Sequence, residues 1–113
     1  MDFDIVEKVY ESLSTVENVY EGWYREDLNK DHITFFQYVE VPQDFEDDEE
    51  SSINHGIQVD IWSKDSIKSQ QLKIIARKLL KSHGFRYTDG QDLYETDTGI
   101  YHKAMRFNYL EEI

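Results

Sequence analysis

Apolar and polar positions alternate most regularly over residues 56–63, where Ile57, Val59 and Ile61 interleave with Gln58, Asp60 and Trp62. A period of two marks a half-buried strand. Directly after it, Ser63, Asp65 and Ser66 offer side-chain oxygens that can accept the unpaired amides of a first helical turn. The run from Ser66 to His83 then carries Ile67, Gln71, Leu72, Ile75, Leu79 and Leu80 at helical spacing, with Lys68, Lys73, Lys78 and Lys81 toward water. Gly84 stands where a helix commonly turns left-handed to finish. This spacing predicts a helix whose Leu72, Ile75 and Leu79 are buried on the sheet, each contributing about 1.5–3 kcal/mol.

The flanking segments follow the same two periods. Ile5, Val9 and Leu13, with Val6 and Tyr10 beside them, predict a short N-terminal helix capped by Asp2 or Asp4 and ending at Ser14-Thr15. A short strand is expected over Asn18–Trp23. The β-branched and aromatic run Ile33–Val41 predicts a strand covered on both faces, which Pro42 stops by removing an amide donor. Residues 42–55, with Asp44, Glu46, Asp47, Asp48, Glu49 and Glu50, read as a flexible acidic loop because crowded like charges cannot enter a core. Further runs at 85–87 and 92–95 precede a long strand from Gly99 to Tyr109, with Thr96–Gly99 as a hairpin turn. The resulting expectation is one α+β domain over 1–113, of order α-β-β-β-α-β-β. Its small mixed, mainly antiparallel sheet packs against an N-terminal helix and a longer central helix.

Charge then narrows the partners. With 24 acids against 12 basic residues the net charge is -12, which disfavours sequence-specific recognition of nucleic acid and suits a basic protein partner. There is no cysteine, so neither a disulfide framework nor a thiolate metal site is available. No basic leader or bilayer-length apolar run is present, and a cytosolic, non-membrane protein is the simplest expectation.

Catalytic chemistry finds no pattern to stand on. His32, His55, His83 and His102 have no zinc-like spacing and read as surface or helix-end residues, His83 at a helix C-terminus. The carboxylates of 44–50 lack the alternate ligands and central glycine of a calcium loop. Neither a nucleophile elbow nor a phosphate-cradling glycine loop occurs. No catalytic, cofactor or metal residues are therefore assigned. Trp62 and Tyr94 each fall opposite their strand's aliphatics; either the N-terminal helix covers them or they are exposed anchors for another subunit.

Taken in order, Ile33-Thr34-Phe35-Phe36, the acidic insert, Val59-Asp60-Ile61-Trp62-Ser63, the Leu72–Leu80 helix with Gly84-Phe85, and Leu93 through Lys103 leading into Arg106-Phe107 resemble the tail-completion proteins of long-tailed bacteriophages. These are also called tail terminator or head-to-tail joining proteins. The resemblance spans about residues 5–110 and is strongest at Asp60–Ser63 and Tyr94–Lys103. It implies a protein that is monomeric in solution and forms a ring, commonly hexameric, on the head-proximal end of the tail tube. There it would stop tube polymerisation and meet the head-completion or connector protein, after assembly in the host cytoplasm. No enzymatic activity or cofactor is implied. The expected contact residues are Asp44, Glu46, Asp47, Asp48, Glu49, Glu50, Trp62 and Tyr94.

Two other classes remain open on the residues alone. One is an acidic module that mimics nucleic acid and occupies a basic partner. The other is a paired-carboxylate hydrolase, which would need a concave site with perturbed acids.

Overall fold

The alternation at 56–63 does form a strand, and that strand is the middle of the sheet. The computed structural model describes residues 2–23, 30–46 and 49–113. Its elements are α1 (Ile5–Ser12), β1 (Val19–Glu21), β2 (His32–Glu46), β3 (Glu49–Ser63), α2 (Ser66–Ser82), β4 (Arg86–Glu95) and β5 (Ile100–Glu112). The sheet order is β1-β2-β3-β5-β4, with the β1–β2 pair parallel and the other three antiparallel. The expected α+β class and element order are both observed.

Both helices lie on one face of the sheet, termed here the helical face. Ile33, Phe35, Ile57, Val59, Ile61, Met105 and Phe107 point to it and pack with Ile5, Val9 and Leu13 of the α1 region and with Ala76, Leu80 and Phe85. Each of the larger side chains so buried contributes about 1.5–3 kcal/mol. Asp4 caps α1 by accepting from the amides of Val6 and Glu7, and Asp65 caps α2 by accepting from Ile67 and Lys68. At the other end of α2, Gly84 takes φ +93 and releases the chain into β4.

Several expectations are corrected. Residues 42–46 and 49–55, expected as loop, are the outer halves of β2 and β3; Asp47 and Asp48 lie outside the described residues. Pro42 does not end the ladder but sits opposite Ile53. Beyond Phe35 the outer side of β2 has no partner strand among the described residues, so a residue without an amide hydrogen is tolerated there. For the same reason only the first half of β2 is covered on both faces, and Gln37–Gln43 are exposed. The runs at 85–87 and 92–95 are one strand, β4, with a register shift between Tyr87 and Asp89. In α2 the fully buried positions are Ser69, Ala76 and Leu80; Leu72 and Leu79 are half-buried, and Ile75 is exposed. The helix sits against the sheet through its small residues, rotated from the orientation its leucines suggest.

Because β2 and β3 outrun the helices, the molecule is elongated, 53 × 25 × 23 Å. Gly56 is level with Asn108, which is level with Arg86, just after α2 has ended. From Gly56 to Glu49 the hairpin therefore continues about 23 Å past the helical layer, at about 3.3 Å per residue. β5 accompanies it as far as the Ser52–Glu112 pairing. This three-stranded projection is called the arm.

Candidate functional site

The arm collects most of the acidic residues singled out from sequence. In the register Phe45 stands opposite Glu50 and Glu46 opposite Glu49, while Asp44 lies on β2 one residue before Phe45. At the arm's base, His55 is buried on the helical face. Its Nδ1 lies 2.6 Å from Gln37 Oε1, its Nε2 lies 2.9 Å from Glu111 Oε1, and Phe3 tilts over the ring. His55 thus ties β2, β3 and β5 together where they leave the domain. The opposite face of the arm is open: Val41, Asn54 and Leu110 form a cross-strand row there, and Val41 and Leu110 are exposed, as is the neighbouring Val39. Gly56 makes room for Val39 and Tyr38, since a Cβ on it would lie 2.5 Å from Val39 Cγ1.

On that second face of the sheet, toward the body of the domain, lies a buried polar and aromatic cluster. Trp62 is 2% exposed and donates from Nε1 to Thr34 Oγ1 at 2.8 Å. The His102 ring stacks on it at 3.8 Å, and Trp23 meets both rings edge-on. His102 Nε2 donates to Asp60 Oδ1 at 2.6 Å, and the Gln58 amide donates to the same carboxylate. A fully buried carboxylate is tolerated because these donors replace water. The expectation of surface histidines therefore fails for His32, His55 and His102, all buried; only His83, the C-cap of α2, fits it.

Trp62 and Tyr94 are not brought together. Tyr94 faces the helical side, packs on Tyr101 at 4.8 Å and is 53% exposed at the β4 edge. The N-terminal helix covers neither: it lies on the face opposite Trp62, and Trp23 from the β1–β2 connection supplies the cover instead. Sequence reading missed Trp23, Val39, Val41 and Leu110. The only signal was Val39-Glu40-Val41, an alternation that continues past the point where a core could explain it.

Beside Tyr94, Asp92 accepts from Lys73 Nζ at 2.9 Å, and Lys103 Nζ lies 3.3 Å from its other oxygen. The Lys73 hydrogen bond, together with Lys103, holds the Asp92 carboxyl below the usual carboxylate range. A groove of about 600 Å³ separates α2 from the α1–β1 connection. Val16, Leu72 and Ile75 line it, with Lys30 and Lys68 and the acids Glu17 and Asp31 at its edges. Among the described residues no group of three His, Asp or Glu side chains could hold a metal ion. No described helix is long and apolar enough to cross a membrane.

No protein-family model and no curated protein matches this chain. Among solved structures, a chain from the "Virion of native gene transfer agent (GTA) particle" is similar to it, with a TM-score of 0.63, 11% identity, and coverage of 93% of this chain and 92% of that one. At that identity the likeness is one of fold, and it runs through essentially the whole of both chains.

Proposed function

We propose that this chain is a non-enzymatic virion assembly protein of a phage-like particle, acting as a tail-completion or terminator protein. In this reading, copies form a ring, hexameric by the family resemblance, on the head-proximal end of the tail tube. The ring stops tube growth and presents a surface to the head-completion or connector protein. The observation that carries the reading is the whole-length fold likeness to a chain of a virion particle. The open arm face, the acidic arm positions and exposed Tyr94 supply contact surface; Trp62 contributes as the buried support beneath Trp23 rather than as an anchor. Six copies, each at -12, would give a ring past which DNA slides without being held.

The test is negative-stain microscopy of tails assembled with and without the protein. Tubes of uniform length bearing a terminal ring only in its presence are expected. Tubes whose length and ends are indifferent to it would remove the reading. The density of acids on the arm favours a second reading, an acidic module that occupies a basic, nucleic-acid-binding partner. A soluble one-to-one complex with such a partner, with no effect on tails, would select it.

A further inference from the structure

Charge is sorted between the two helices. The chain is acidic overall, yet six of its twelve Lys and Arg fall between residues 64 and 81, and the 17 residues of α2 hold five of them and no acid. Two of the five are engaged with β4: Lys73 with Asp92, and Arg77 over the Tyr87 ring at 5.5 Å. Lys64, Lys68, Lys78 and Lys81 are exposed, and none has an ion-pair partner among the described residues. Residues 2–17, which contain α1, reverse the balance with five Asp or Glu and a single Lys. That lysine, Lys8, is turned over the Tyr109 ring at 5.8 Å. Asp2, Asp4, Glu7, Glu11 and Glu17 are exposed, again with no ion-pair partner among the described residues.

Both sets of charges stand on the outward sides of their helices. At about 100° per residue, Glu7 and Glu11 lie away from the buried Ile5, Val9 and Ser12, with Tyr10, 41% exposed, at the edge of their stripe. On α2, Ile67 and Lys78 lie opposite the buried Ser69, Ala76 and Leu80, and Lys81 flanks them. Ile67 is 69% exposed, so apolar surface accompanies the lysines.

The two helices occupy opposite flanks of one layer. Tyr10 of α1 meets Phe35 of β2 edge-on at 5.0 Å, and its hydroxyl accepts from the Glu21 amide of β1 at 2.9 Å. Lys73 and Arg77 hold α2 to β4. β1 and β4 are the two edges of the sheet. A second copy set beside the first, with its sheet facing the same way, therefore brings an acidic flank to a basic one. Pairing α1 with α1 would set acid on acid, and pairing α2 with α2 would set cation on cation.

We infer that α1 of one copy docks against α2 of the next. Glu7 and Glu11 meet Lys78 and Lys81, and Tyr10 covers the exposed Ile67. The two surfaces are different and lie on opposite flanks, so the contact is head-to-tail and repeats around a ring when the rotation closes. This inference rests on the ring reading above and names the contact that joins its subunits.

Charge reversal tests it on tail tubes. Glu7→Lys/Glu11→Lys alone and Lys78→Glu/Lys81→Glu alone should each lose the terminal ring. An equimolar mixture of the two should restore it, because the reversed α1 of one chain meets the reversed α2 of the other, and a chain carrying all four substitutions should restore it as well. Restoration also shows that the variants fold. In wild-type rings, a zero-length carbodiimide should couple Glu7 or Glu11 of one copy to Lys78 or Lys81 of another, as read by peptide mapping of mixed isotope-labelled and unlabelled chains. Rings formed by either reversed variant on its own would overturn the contact while leaving the proposed function standing. Variants that stay without rings when mixed and when combined would also overturn it, as would coupling of these lysines to the tube subunit instead of a second copy. Oligomers lost on reversal and regained on mixing, but with tubes left uncapped throughout, would uphold the contact and remove the tail reading. A wild type that forms no ring, alone or on tubes, would overturn both.

Discussion

His102 Nε2 lies 2.6 Å from Asp60 Oδ1, a diagonal pair on adjacent strands in which the carboxylate is fully buried and the imidazole nearly so. The pair joins β3 to β5 beneath Trp62 and Trp23, so it fixes the surface on the face of the sheet that no described helix covers. Removing one member leaves the other buried without its partner. Asp60→Ala or His102→Ala should each cost about 3–5 kcal/mol in urea unfolding. Asp60→Leu/His102→Leu should be less destabilised than the sum of its singles. Additive losses in the cycle would show that the two residues do not act as a unit.

The backbone of β3 passes under Tyr38 and Val39 at Gly56, with no space for a methyl group. A Cβ there would sit 2.5 Å from Val39 Cγ1 and 2.8 Å from Tyr38 Cζ. Gly56→Ala should lower stability by about 1–3 kcal/mol, the usual range for overpacking. Val39→Ala in the same chain should return part of that loss, because it removes the nearer clashing atom. Thermal unfolding of the single and double variants measures both.

Much of the domain was legible because its core obeys simple periods. The 56–63 alternation, both caps and the Gly84 and Gly99 turns follow from local chemistry, and each is where the pattern puts it. The arm was not legible. A strand with no helix over it needs no greasy alternate face, so Asp44, Glu46, Glu49 and Glu50 can stand in a ladder that composition reads as loop. Nor could sequence place Asp60 against His102, since 42 residues separate two polar groups whose burial depends on meeting. The helix α2 was found but rotated. Ala76 and Ser69 allow a closer approach to the sheet than leucines would, leaving Ile67 and Ile75 outward. The exposed apolar positions of α2 were therefore hidden within an element that the sequence otherwise marked plainly.

Trp62 and Tyr94, expected to act alike, should behave oppositely. Truncating buried Trp62 to Ala removes a stacked, hydrogen-bonded ring and should cost about 3–5 kcal/mol. Tyr94→Ala, at an exposed edge, should change stability far less and instead reduce assembly with tails. Chemical denaturation and ring counts by microscopy separate the two effects. A Tyr94→Ala protein that caps tails normally would remove this residue from the contact surface.

Asp92 gives a pH signature. Lys73 and Lys103 hold its folded-state pKa below the unfolded value. Its contribution to stability is therefore present above the unfolded pKa and is lost as pH falls through the folded one. Asp92→Asn should be less stable than the wild type at neutral pH, and the gap should close as the solution becomes strongly acidic. Urea midpoints across that range provide the measurement; a gap that stays constant with pH would mean that the two lysines do not act on Asp92 through its charge.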